Sequence, residues 1–382
     1  MRTLALVALL SLAACHNNGF HVDGFSFGDW QQTEARVDDH ALPTEGVVAL
    51  DVATAYGDVD VVASDDHTPR VVATLRGNAP SRAAAEDVLA RSRVEIVDDG
   101  DVVRVRLVTD PREGAGSNDN ERGSVSVDLL LHVPRGMDVA VDCGSGDIDV
   151  AGGVGAAQLE TGYGDVELAG AAGDVTASSG SGSVNVRDIE GGLVHLRSNY
   201  GDVEADGLEA NVLRMKSGSG DVSLANARAE GIELGTSYGN VSARTVAGSL
   251  SAESGSGSVA ISAFEGAAEV SSGYGDVDVE GVLTSVTARA GSGDVAVVAL
   301  AGSEVATSWK IESSYGDVDL FAPAGFACTL DARTSYGDIE CGYPLTIEAG
   351  MKSDERLTGS INGGGGLVEL SSGSGDVRLR VR

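Results

Sequence analysis

The residues with chemistry to offer recur on a steady beat. Asp58, Asp147, Asp165, Ser183, Asp202, Asp221, Asn240, Ser258, Asp276, Asp294, Asp317, Asp338 and Asp376 each close a Gly-rich motif of the kind Ser217-Gly-Ser-Gly-Asp221. Two positions on lie further acids: Asp60, Asp149, Glu167, Glu204, Asp278, Asp319 and Glu340. Carboxylates stacked this way could share a hard, oxygen-seeking cation, which makes Asp147, Asp165, Asp202, Asp221, Asp276 and Asp294 calcium candidates. The nine-residue calcium β-roll pattern, with Gly-Gly-x-Gly before x-Asp, does not match. A ligand site rarely needs a dozen copies, so the preferred reading is that Asp, Asn and Ser here satisfy the backbone of a bend. The same repetition argues against a phosphate-cradling loop.

The elements that must position these residues follow from the spacing. From Asp147 to Asp294 the anchors are 18 or 19 residues apart, the signature of a solenoid. Eight and six residues before each anchor sit apolar pairs such as Leu213 and Met215, or Ile232 and Leu234. One and three residues after it come Val222 and Leu224, or Val277 and Val279. A spacing of two predicts strands with one buried face. The parity changes across the Gly-rich piece, so that piece is a bend. Helix is rejected: the apolar spacing is wrong and the glycine content too high. Four residues before the anchor lies a column of small residues, mostly Ser and Thr. Two residues before it, Ser and Tyr alternate strictly from Ser145 to Tyr315. With rungs ~4.8 Å apart, a ring on every rung would crowd its neighbours; alternation gives each tyrosine a serine above and below. The fold class expected is all-β: a single-stranded parallel β-helix (β-solenoid) of ~18–19-residue rungs.

Composition agrees. The chain has 53 Gly but only six Phe, eight Tyr and two Trp, suited to a Val, Leu, Ile and Ala interior. A net charge of −32 excludes nucleic acid as a partner and disfavours docking of the folded part on anionic lipid.

Residues 1–15 read as a secretory signal: Arg2, the apolar run from Leu4 to Leu10, then Leu12-Ala-Ala-Cys15. This ending resembles the bacterial lipobox, which makes Cys15 the acylated residue and the membrane, through its lipid, a partner. The apolar run is too short to span a bilayer. His16 rather than Asp follows, which by lipoprotein sorting implies the outer membrane. Residues 16–42 look like a tether; His16, His21 and His40 lie there without metal-ligand spacing.

Residues 43–123 form a small N-terminal β segment. It holds the first motif copy around Tyr56-Gly-Asp58-Val59, a short helix from Ser81 to Arg93, and a hairpin turning at Asp98-Asp-Gly-Asp101. Residues 111–123 look like an exposed loop, and residues 124–382 the repeat domain.

Val133-Pro-Arg-Gly-Met-Asp-Val-Ala-Val141, running into Gly144-Ser-Gly-Asp-Ile148, resembles the start of the repeats in the bacterial β-strand-repeat proteins called "putative adhesins". So do Tyr56-Gly-Asp-Val-Asp-Val61 and the C-terminal Ile361-Asn-Gly-Gly-Gly-Gly366 leading into Ser372-Gly-Ser-Gly-Asp-Val377. The resemblance covers about residues 47–382 and implies an exported β-solenoid without a defined ligand. The loop from Gly342 to Gly359 breaks the spacing.

Cys143 sits in the small-residue column as a buried thiol. Cys328 and Cys341 share an inward parity that allows a disulfide within one rung. No catalytic set is expected: the acids recur on every rung, and only His195 and scattered Arg or Lys could partner them. No cofactor is expected. The functional expectation is a non-catalytic envelope lipoprotein, an interaction surface or scaffold for an unknown envelope protein or glycan. A calcium-stabilised spacer and, by family analogy alone, an accessory to envelope-stress signalling are the alternatives.

Overall fold

The computed structural model describes residues 32–43, 46–65, 68–111, 123–347, 352–353 and 355–382. Cys15, His16 and His21 lie outside the described residues.

The inward columns build the stack. Val222 and Leu224, then Leu213, Met215 and Ser217, are buried, and their equivalents on neighbouring rungs are buried with them. The strands pair parallel and in step: Val203 with Val222, Val222 with Val241, Leu213 with Ile232. In the middle of the molecule each rung runs as one long strand from one Gly-rich bend to the next, as in Val203–Ser217 and Val222–Thr236. A second bend falls five residues after the anchor. There Asp188, Asn226, Thr245 and Ala263 all take positive φ, a conformation that disfavours side chains with a Cβ. The residue after it points inward again, as Ile189, Leu208, Val246 and Phe264 do.

The architecture is therefore the expected parallel β-solenoid, but rung order departs from chain order at both ends. The first rung, Ala49–Thr54 with Val59–Ala63, lies between two others. On one side are Val102–Thr109 and Ser124–Val133; on the other are Asp138–Cys143 and Ile148–Val154. So a boundary at residue 124 does not separate the N-terminal segment from the stack. At the other end, Leu367–Ser372 and Val377–Val381 insert between the rung of Trp309–Ser313 and Val318–Ala322 and the rung of Cys328–Thr334 and Ile339–Cys341.

Charge favours this insertion. The inserted rung carries Arg378, Arg380 and Arg382 into an acidic molecule. Across to the neighbouring rung Arg378 pairs with Asp317 at 2.6 Å and Asp319 at 3.6 Å, and Arg382 reaches Glu280 at 3.0 Å.

Antiparallel strands close both ends. Arg70–Ala79 lies on Ser124–Val133, and Gln32–Ala41 lies on Arg70–Ala79. The last ten residues or so of the expected tether are thus an edge strand, because Arg36 reaches across to the carbonyls of Leu89 (2.9 Å) and Ser92 (2.7 Å). Among the described residues the one α-helix spans Arg82–Arg91, with Ser81 accepting from the Ala84 amide. It stops short of Arg93, which belongs to the strand Ser92–Asp98. At the far end Arg356–Ile361 pairs antiparallel with Cys328–Thr334. There the buried Asp331 accepts from Arg333 and Arg356. Burial pushes its carboxyl up, but those two guanidinium groups hold it below the usual carboxylate range.

The disulfide expectation is corrected: Cys328 and Cys341 are both free thiols. Burial, with Cys341 nearby, pushes the Cys328 thiol up to about 12, and Cys341 donates instead to the Tyr343 carbonyl at 3.7 Å.

Candidate functional site

The Gly-rich bends stack into one continuous edge, and three columns of side chains define what it presents. The first is the hydroxyl column. Ser217 Oγ accepts from the Gly220 amide (2.9 Å) and donates to the Gly201 carbonyl of the preceding rung (2.8 Å). Ser179, Ser198, Ser254 and Ser272 repeat both bonds. Cys143 uses its thiol in the same way, donating to Gly57 O at 3.3 Å. Each hydroxyl thus ties its own bend to the neighbouring one.

The second is the anchor column. Asp147 Oδ1 accepts from the Asp165 amide at 2.8 Å, and Asp165 from Ser183 at 2.7 Å. Asp202 accepts from Asp221, Asp221 from Asn240, Asp276 from Asp294, and Asp294 from Asp317, all between 2.7 and 2.9 Å. The six calcium candidates therefore each commit a carboxylate oxygen to backbone, and that backbone belongs to the next rung rather than to their own bend. Asn and Ser substitute because either can supply an acceptor. Among the described residues, no group of three or more His, Cys, Asp or Glu side chains is placed to hold a metal. Asp128 belongs to this column too, accepting from the Asp58 amide at 3.4 Å. It escaped the sequence reading because no Gly-rich bend precedes it.

The third column is the outermost. In stacking order it reads Tyr56, Ser145, Tyr163, Ser181, Tyr200, Ser219, Tyr238, Ser256, Tyr274, Ser292, Tyr315, Ser374, Tyr336. In chain order the alternation fails at its end, where Tyr336 follows Tyr315. Inserting the Ser374 rung restores it. Glycine contacts give the same order, since a Cβ on Gly375 would meet Gly316 O at 2.3 Å and one on Gly337 would meet Gly375 O at 2.2 Å. The seven tyrosines are 56–82% exposed. Their chain neighbours are Gly, Ser, Ala55 or Asn199, all small, so little stands beside the rings. The alternation was visible in the sequence; the inserted rung was not, although two successive Tyr copies were a signal for it.

A shallow groove follows the second bend across several rungs. Gly153, Gly170 and Gly207 form part of its lining, together with Asp188, Glu190, Glu209, Arg228 and Glu265. At one register position of its lining the residue runs Glu190, Glu209, Arg228, Ala247, Glu265 from rung to rung.

For catalysis, the corner offers little. The hydroxyls of Ser217 and its equivalents and the carboxylates of the anchor column bond to backbone. On the adjoining face His195 lies beside Arg214 in register. Arg214 pairs with Glu233 at 3.2 Å, and Lys216 also pairs with it. Lys216 above all holds the Glu233 carboxyl below its usual range, the behaviour of a surface ion network.

The family described as Toastrack DUF4097 matches residues 89–277 and again residues 263–380. No curated protein matches the chain. Among solved structures, a "putative adhesin" of Bacteroides fragilis NCTC 9343 is similar, with 14% identity, 91% of this chain and 97% of that one covered, and a TM-score of 0.26. A "putative cell adhesion protein" of Clostridium sporogenes ATCC 15579 has 8% identity, coverage of 92% and 100%, and a TM-score of 0.17. A "putative lipid binding protein" of Parabacteroides distasonis ATCC 8503 has 14% identity, coverage of 90% and 96%, and a TM-score of 0.22.

Proposed function

We propose a function for a chain that belongs to the Toastrack DUF4097 family: a non-catalytic, adhesin-like interaction surface at the bacterial envelope. In this reading the chain is exported and held on the outer membrane by acylated Cys15, and the tyrosine edge meets an envelope protein or glycan. The observation that carries it is the exposed column itself. Seven large rings stand in water at constant spacing, and the rung inserted near the C-terminus preserves that spacing. Exposed aromatic rows of this length mark binding surfaces, because burying them against a partner recovers hydrophobic free energy. Among the described residues no helix is long and apolar enough to cross a membrane.

The test has two arms. The full chain expressed in a two-membraned bacterium should fractionate with the outer membrane, and Cys15→Ser should release it from there. The purified folded chain should be retained on isolated envelopes, while heat-unfolded chain is not. Absence of retention would contradict the interaction reading; outer-membrane association of Cys15→Ser would contradict the anchor.

A further inference from the structure

We infer that the tyrosine edge is a binding track for an extended β-1,4-linked amino-sugar chain, one sugar face stacked on each ring. This rests on the interaction reading above and names the partner's chemistry. The rings lie on every second rung, so they are ~9.6 Å apart, twice the ~4.8 Å strand spacing. From Tyr56 to Tyr336 the row runs about 58 Å. In an extended β-1,4-linked pyranose chain, successive sugars are turned over, so the same face recurs every second sugar. That two-sugar repeat is also about twice the strand spacing. A track with a ring on every rung would meet alternating faces; this one meets the same face each time. The slightly positive C–H groups of a pyranose face suit the negative face of a phenol ring. Between the rings, exposed Ser181, Ser219, Ser256 and Ser292 leave room for the intervening sugars and offer hydroxyls to them.

Charge selects among polymers that could use such a row. Bases of single-stranded nucleic acid also stack on aromatics, but a chain with net charge −32 repels polyanions, nucleic acid and acidic polysaccharides alike. The same charge opposes a second copy of this chain interleaving its rings with these. Beside the track run the exposed acids Glu167, Glu204 and Asp278. They favour free amino groups, and an amine near a tyrosine face gains cation–π attraction as well. An uncharged or partly deacetylated amino-sugar chain fits all three constraints.

The test uses the full chain and the β-1,4-linked hexamer of N-acetylglucosamine, with binding read by tyrosine fluorescence. Controls are its deacetylated form, cellohexaose, the α-1,4-linked glucose hexamer and polygalacturonate. The variant combines Tyr200→Ser, Tyr238→Ser and Tyr274→Ser. Each puts in the residue that adjacent rungs already carry, so the melting temperature should hold. The amino-sugar hexamers should bind, with the deacetylated form tighter at low salt. Cellohexaose should bind more weakly, and the α-linked and anionic glycans not at all. The triple variant should lose about tenfold or more, since each contact helps hold the others. Equal binding by the triple variant, equal binding of the α-linked hexamer, or no hexamer binding would overturn the proposal. So would a dimer of the wild-type chain, seen by sedimentation and lost in the triple variant. If wild-type chain is retained on envelopes but ignores the hexamers, the glycan assignment fails while the interaction reading stands. If it is not retained either, both fail.

Discussion

At the scale of single residues, the bend is governed by how close one rung comes to the next. A Cβ built on Gly220 would lie 2.3 Å from the Gly201 carbonyl oxygen, and Gly201 and Gly239 are equally confined. Gly220→Ala should therefore cost roughly 1–3 kcal/mol, by the usual penalty for overpacking, and lower the melting temperature. An unchanged melting curve would show that the bends are looser than drawn. Titratable residues give a second handle. Asp278 has its carboxyl raised by partial burial, then by the charges of Asp276 and Asp294. A raised folded value means that the acid favours folding below its unfolded range and loses that contribution as pH rises through the folded one. Asp278→Asn should thus raise the melting temperature at neutral pH, with the gain shrinking to nothing as pH falls below the ordinary carboxylate range. A gain that stayed constant with pH would contradict the electrostatic cause.

At the scale of elements, the segment nearest the C-terminus is interior to the stack. Val368, Leu370, Val377 and Leu379 are 0–1% exposed, with a parallel rung on each side. Deleting residues 367–382 would strip two neighbours at once. At ~1.5–3 kcal/mol for each buried aliphatic side chain, the C-terminal part should lose cooperative folding rather than fray. Limited proteolysis should then cleave within residues 309–341, and resistance there would contradict the inserted position. These elements also show where the sequence was legible. The inward pairs at Leu213, Met215, Val222 and Leu224 stood out because their two-residue spacing repeats on every rung. The inward column after the second bend did not, because Ala171 and Ala227 are mixed among Ile189, Leu208, Val246 and Phe264. The residues of the bend itself range from Gly207 to Thr245, so no residue type marks it. Rung order was hidden for another reason: periodicity records which segments resemble one another, not which ones touch. The edge strand at Gln32–Ala41 was hidden because it lacks the repeat's period; its charged side chains, Glu34, Arg36 and Asp38 among them, are what an edge strand carries to avoid further pairing.

At the scale of the whole molecule, repetition divides stability from binding. The hydroxyl and anchor columns hold the rungs together, and the tyrosine column faces outward without a part in that. Because Asp147, Asp165, Asp202, Asp221, Asp276 and Asp294 already serve backbone amides, adding calcium to millimolar levels or removing it with a chelator should leave the melting temperature unchanged. A rise with calcium would mean that the free carboxylate oxygens converge on an ion. Both the candidate calcium sites and the tyrosine row were visible as sequence columns. Only the stack showed that the first column is occupied by its own backbone and that the second stays continuous. That continuity depends on the Ser374 rung lying between those of Tyr315 and Tyr336, and it is open to a direct measurement. Asp319 pairs with Arg378, and Arg378 with Glu340, so Asp319 and Glu340 are two rungs apart, ~9.6 Å, beyond the ~7 Å that a disulfide can bridge. Oxidised and mapped by peptide mass, the Asp319→Cys, Arg378→Cys pair should cross-link and the Asp319→Cys, Glu340→Cys pair should not. The opposite result would place the rungs in chain order and break the tyrosine row.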